Sequence, residues 1–80
     1  MSYTNIVIYV SENNPDCKSV LHLMENLEVS YEVKNITKNS AYRREMQDLN
    51  IYGTPATFIG ADTVILGAQI KTIQRELGMG

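Results

Sequence analysis

Ile6-Val7-Ile8-Tyr9-Val10-Ser11-Glu12-Asn13-Asn14-Pro15-Asp16-Cys17 is the stretch on which the fold turns. Its first five residues are β-branched or aromatic and apolar on both faces, as expected of a central strand covered by helices on two sides. The run stops at Ser11-Glu12-Asn13-Asn14. Pro15 then suits the first turn of a helix, because its φ is already helical and its missing N–H would have no partner there. Asn14 just before it is a capping residue. From Pro15 to about Glu28, Cys17, Val20, Leu21, Met24 and Leu27 recur at three- and four-residue steps and predict one apolar helix face. His22 falls between Lys18 and Asn26 on the polar side and is assigned no role.

Further along, Tyr31, Val33 and Ile36 mark a second strand within residues 29–36, with Glu32 and Lys34 on the alternate positions. Thr37, Asn39 and Ser40 are capping candidates for a helix running through Asn50, whose Tyr42, Met46 and Leu49 form a narrow apolar stripe. Gly53-Thr54-Pro55 breaks the pattern. Ala56–Ile59 and Thr63–Leu66 then read as two short strands, and the glycine-containing connection Gly60-Ala61-Asp62 makes them a hairpin. After Gly67 a last helix turns Ile70, Ile73 and Leu77 inward, with Gly78 as its stop. The order is βαβαββα. A helix joining two strands makes them parallel with a right-handed crossover, and the hairpin adds an antiparallel pair. The expectation is an α/β domain over residues 1–80, with a four-stranded mixed sheet and helices on both faces.

Composition narrows the functions open to such a domain. The chain has 80 residues, 44% of them hydrophobic, with 20% charged and a net charge of −2. That is enough apolar content to fold and too little length for a two-domain enzyme. Seven Lys and Arg against nine Asp and Glu give no basic field for a phosphate backbone, so no nucleic-acid partner is expected. The single cysteine excludes an internal disulfide, and with one histidine it forms no metal-ligand spacing; neither metal nor cofactor is expected. The longest apolar run, Ile6 to Val10, falls far below the ~20 residues that span a bilayer, and no basic leader precedes a signal-like core. The expected location is cytoplasmic, with no membrane association.

Chemistry is expected where the first strand hands over to the first helix. The peptide N–H groups of a helix start favour an anion, so a thiolate at Cys17 is stabilised there and made nucleophilic. The same cysteine shares the apolar face with Val20, Leu21 and Met24, and a free cysteine is often simply a small buried residue. Both readings of Cys17 stand at this point.

A strand, a helix start resembling Cys-Pro-x-Cys, a Thr-Pro before a hairpin, and a glycine before a last helix together resemble the glutaredoxins. Within that family the pattern is most similar to the short NrdH-redoxins, which donate electrons to ribonucleotide reductase. The match runs from about Ile6 to Leu77, and Tyr9, Pro15, Cys17, Pro55, Phe58 and Gly67 fall where the pattern wants them. The resemblance implies a thioredoxin fold in which the Thr54-Pro55 peptide is cis and faces the active-site loop. It also implies that the chain edge at this proline holds an extended substrate segment by main-chain hydrogen bonds, with Thr54 in that role and Pro15, Pro55 and Gly67 shaping the site.

At the site itself the chain departs from its relatives. They carry the attacking thiol at the first position of the four-residue motif, and here that position is Asn14; the resolving position, Cys17, is kept. In the dithiol cycle the first thiolate attacks a disulfide and the second thiol resolves the mixed disulfide. Asparagine cannot begin this cycle. Shifting the frame does not help, since Tyr9 to Cys17 matches the family spacing to the resolving cysteine and Pro15 would then precede the motif. Single-thiol glutaredoxins keep the first cysteine, so their iron–sulfur ligand is absent here too. Ser11 stands where a basic residue commonly helps to hold glutathione, and Gly67-Ala68-Gln69 lacks the family's acidic residue, which disfavours glutathione. The implied partners are a disulfide-containing protein or a reductase of the thioredoxin reductase kind.

Three functions follow as expectations. One is a thiol–disulfide redoxin lineage whose dithiol activity is lost or impaired at Asn14. Another is a non-catalytic binding or regulatory module that uses the groove beside Thr54-Pro55. The third has Cys17 acting alone as a redox-sensing thiol, for which it must be accessible.

Overall fold

Residues 5–78, described here by a computed structural model, form seven elements in the expected order. They are β1 (Ile6–Val10), α1 (Pro15–Leu27), β2 (Glu32–Asn35), α2 (Ser40–Asp48), β3 (Ala56–Ile59), β4 (Thr63–Leu66) and α3 (Ile70–Glu76). The outer residues of the expected domain, 1–4 and 79–80, lie outside the described residues. The sheet order is β2-β1-β3-β4. β1 pairs with β2 in parallel, Ile8 beside Val33, and with β3 antiparallel, Ile8 beside Thr57. β3 and β4 close the antiparallel hairpin, Phe58 beside Val64.

Side chains alternate across a strand, so an interior strand coated on both faces must feed two cores. β1 does so. Ile6, Ile8 and Val10 join Cys17, Val20, Leu23 and Met24 of α1 and Ile73 of α3 on one face. Tyr9 joins Ile36, Met46, Ile51 and Ala56 on the other, with Val7, Tyr42 and Phe58 packed at the margin. The helices therefore divide as α1 and α3 against α2, one layer on each side of the sheet.

α1 starts where its capping chemistry starts. Asn14 is extended (φ −122°, ψ 108°) and its side chain accepts from the first free N–H groups of the helix, with Pro15 in the first turn. The helix stops at Glu28, whose left-handed φ of 56° lets its N–H return to the Glu25 carbonyl. Its buried face is Cys17, Val20, Leu23 and Met24. The sequence pattern put Leu21 and Leu27 on that face and passed over Leu23. The reason is α3: it lies over the Leu23 side of α1, so the apolar stripe is rotated toward it and Leu21 and Leu27 become marginal.

Two further apolar positions differ from expectation. Val33 is 40% exposed on β2, an edge strand of the sheet. Leu49 is 50% exposed, although the stripe predicted it inside. α2 ends at Asp48, two residues before the expected end at Asn50, and Asn50 turns left-handed (φ 65°). The turn swings Ile51 into the core in place of Leu49, with the Ile51 N–H donating to the Met46 carbonyl at 3.2 Å.

α2 is also tied to the sheet by a polar contact that sequence reading missed. The Tyr9 hydroxyl and the Lys34 ammonium both donate to Oε2 of Glu45, each at 2.5 Å. The Lys34 ammonium also sits 5.5 Å from the ring centroids of Tyr9 and Tyr42, within cation–π range. Burial, reinforced by the bond to Glu45, pushes the Tyr9 phenol up to about 12. The Glu45 hydrogen bond raises Lys34, while bonds from Lys34 and Tyr9 lower Glu45. A lowered carboxylate stabilises the fold above its ordinary value of 4.5, and that contribution is lost as pH falls through the folded value. The raised phenol stabilises it below about pH 10, a contribution lost as pH rises toward about 12, and the raised ammonium acts in the same direction. With the Glu45 side chain 40% exposed, solvent screening keeps the acid-side term to about 1 kcal/mol or less. The expected result is that Glu45→Gln lowers the urea midpoint at pH 7 and that the gap to the parent chain shrinks between pH 5 and pH 3. A gap that stays constant over that range would show that Glu45 contributes shape and not charge.

Among the described residues, the core on the α1 and α3 side holds one unpartnered side-chain polar atom. Thr57 is fully buried on β3 between Ile8 and Ile65, and its hydroxyl has no hydrogen-bond partner. An unmade buried bond costs about 1–3 kcal/mol. Thr57→Val keeps the shape and removes the hydroxyl, so we expect a gain of about 1 kcal/mol or more, or roughly 4–8 °C in Tm for a chain of this size, read by thermal unfolding. An unchanged or lower Tm contradicts it.

Candidate functional site

At the carboxyl end of β1 four segments meet. β1 runs into Ser11, the loop turns through Asn13 (φ 59°), and Asn14 opens α1. β3 pairs antiparallel with β1, Ala56 opposite Tyr9, which brings the residues before β3 alongside Ser11. The Thr54-Pro55 peptide is cis, as the resemblance implied. Gly67, just after β4, donates its N–H to the Pro55 carbonyl at 2.9 Å. Its φ of +81° is one that glycine adopts without strain.

The polar contacts across this cleft centre on Asn14. Its carboxamide oxygen accepts from the Asp16 N–H at 3.0 Å and the Cys17 N–H at 3.4 Å, while its backbone carbonyl accepts from Cys17 at 3.1 Å. Its amide nitrogen donates in the other direction, to the Thr54 carbonyl at 3.3 Å and to the Thr54 and Ser11 hydroxyls at 3.4 Å each. Ser11 Oγ and Thr54 Oγ1 are bonded to each other at 2.7 Å. Ser11, Asn14 and Thr54 are each partly exposed, so this cluster faces solvent.

Of the residues singled out from sequence, Asn14, Thr54, Pro55 and Gly67 are brought together. Pro15 is exposed on the first turn of α1, at the rim. Pro55 is fully buried, so its ring shapes the cleft floor and leaves the exposed contact to Thr54. Cys17 is 3% exposed and packs among Val10, Val20 and Met24. Of the two readings left open for it, the structure supports the buried one, and an accessible sensing thiol does not fit this position. Ser11 was noted only as an uncharged residue; its hydroxyl bond to Thr54 is a site feature that sequence alone did not reveal. The pairing register sets that bond, and a one-residue slip would break it.

Among the described residues no group of three or more His, Cys, Asp and Glu side chains converges on a metal position. Nor does any described helix have the length and apolarity to cross a membrane. His22 is exposed, as expected, on a groove between α1 and α3 lined also by Lys18, Leu23, Asn26 and Ile70.

A mixed four-stranded sheet with a cis-proline facing a helix start is the thioredoxin-like architecture, and comparison with known proteins agrees. The glutaredoxin family model matches residues 6–64, and the chain belongs to that family. Among solved structures, a mutant form of the thioredoxin-like protein BC3987 is 30% identical, with a TM-score of 0.84 over 94% of this chain and 96% of that one. The glutaredoxin-like NrdH-redoxin from Escherichia coli, described as having a thioredoxin-like activity profile, is 20% identical. Its TM-score is 0.78, over 89% of this chain and 92% of that one. Glutaredoxin 1 from Francisella tularensis, complexed with cacodylate, is 17% identical, with a TM-score of 0.73 over 95% of this chain and 96% of that one. Comparison with curated proteins finds no match.

Proposed function

We propose that this chain is a redoxin of the glutaredoxin family in which the dithiol cycle is lost or strongly impaired, while the cleft beside Thr54 still holds a redox partner. The observation that carries the reading is the composition of the helix mouth. An asparagine carboxamide occupies the position of the attacking thiol, and the sulfur three residues on is buried in the core. A carboxamide is neither a nucleophile toward sulfur nor a redox centre, so no mixed disulfide forms at the first step. Relatives of the NrdH type pass electrons to ribonucleotide reductase or a similar disulfide. Here the partner class is such a disulfide protein or its reductase, met in the reducing cytoplasm where a lone thiol stays free.

The test is insulin reduction driven by dithiothreitol. The expected rate with the chain present equals the rate with dithiothreitol alone. Turnover above that background, removed by alkylating Cys17 in the unfolded state and refolding, would overturn the reading.

A second reading, a purely binding or regulatory module, is favoured by one observation: the cis-proline segment and its polar contacts to Ser11 and Asn14 are intact although the leading thiol is gone. It differs from the first in requiring no redox partner. A partner captured by the parent chain and lost with Thr54→Pro, which removes the main-chain donor, supports it when that partner carries no disulfide.

A further inference from the structure

We propose that Asn14 gates the Thr54 edge. Its carboxamide holds the Thr54 carbonyl from within the chain, so an incoming extended segment must displace it before pairing there. This rests on the reading of the cleft given above and names a regulation of that same site.

The inference follows from what one carboxamide can do. It has one acceptor oxygen and two N–H donors. Here the oxygen is committed to the start of α1 through Asp16 and Cys17, and the nitrogen is aimed across the cleft at Thr54 and Ser11. Asparagine therefore acts as a strut between the helix start and the cis-proline segment. Few side chains fill both roles. Aspartate caps a helix equally well but offers only acceptors, and would face the Thr54 carbonyl with a negative charge. Serine also caps well but is too short to reach across.

Strand addition needs the exposed N–H and C=O of an edge residue. Of these, the carbonyl of Thr54 is already engaged by Asn14 at 3.3 Å. The bond is long and its partners are partly exposed, so it opens readily. The gate is a weak internal competitor, and the affinity of the cleft is reduced by the fraction of time it is closed. The worth of one such hydrogen bond sets that factor at roughly three- to tenfold.

The test is a 15N NMR titration with S-carboxymethylated insulin B chain, an extended probe that has no free thiol. It compares the parent chain with Asn14→Ser and Asn14→Asp, both of which keep a good cap and hence the fold. In all three the Gly53 and Thr54 amides are expected to shift on addition of the probe. In Asn14→Ser half-saturation should come at about three- to tenfold lower probe than in the parent. Equal saturation in the parent and both variants would overturn the gate and leave the cleft reading standing. No shift at Gly53 and Thr54 in any of them would overturn both. In the probe-free parent the Asn14 side-chain amide should exchange with solvent more slowly than that of exposed Asn26; equal exchange overturns the gate by itself.

Discussion

Asn14→Cys is expected to give this chain a working dithiol, with insulin reduction rising from background by roughly a hundredfold. Two effects combine. A thiol at a helix start loses its proton more easily, to about pKa 7 in such motifs against about 8.5 when free, which makes about half of it thiolate at neutral pH. Because nucleophilicity falls with pKa, that alone is worth only about threefold. The larger share comes from Cys17, which lies three residues on in the same turn, its N–H bonded to the carbonyl of residue 14. Resolution of the mixed disulfide then becomes intramolecular, with the advantage that proximity gives. Burial of Cys17 is no obstacle, since its attack is on a sulfur inside the same turn. The double variant Asn14→Cys/Cys17→Ala should trap one equivalent of partner as a mixed disulfide and not turn over. The substitution removes a good cap, so a stability loss of about 1 kcal/mol is expected in the reduced form. No gain in turnover, with the fold intact and the disulfide formed, would count against descent from a working redoxin.

Ile73→Ala should bring the largest loss of stability. α3 has seven residues, too short to be helical alone, and Ile73 is its one buried side chain, fully enclosed against α1 and the sheet. Removing an enclosed isoleucine costs about 2–5 kcal/mol. For a chain of this size, whose total stability is about 4–12 kcal/mol, that is a large share. The urea midpoint should fall by about a sixth or more, with accelerated amide exchange in α3 ahead of β1. Leu66→Ala is the control: at 52% exposed it should cost no more than about 0.5 kcal/mol. A loss below about 1 kcal/mol for Ile73→Ala would show that α3 is held by something other than this contact.

The elements were readable because each has a local cause. The β-branched run makes β1, Asn14-Pro15 starts α1, and the glycine-containing connection makes the hairpin. Side-chain placement failed where the cause was tertiary. Leu23 is buried because α3 lies over it, and nothing in residues 15–27 says where α3 will be. Leu49 is exposed because α2 ends two residues early and a left-handed Asn50 turns the chain, and asparagine's tolerance of that conformation only permits such a turn. In sequence Lys34 is only an alternate, polar position of the second strand. It is engaged by Glu45 and two tyrosine rings because α2 passes over that side of β2. At the candidate site the capping role of Asn14 was visible in sequence, as was the absence of a thiol at that position. The reach of Asn14 to Thr54 was not, because the two are forty residues apart and meet only through the β1–β3 register.

The enclosure of Cys17 has a practical consequence for spectroscopy. With its sulfur shut inside the core, the folded protein offers no fast-reacting site to maleimides or spin labels. A cysteine placed at any exposed position, such as Lys71 on α3, would take a probe there alone. The unaltered chain is already the silent background that distance measurements across the cleft require.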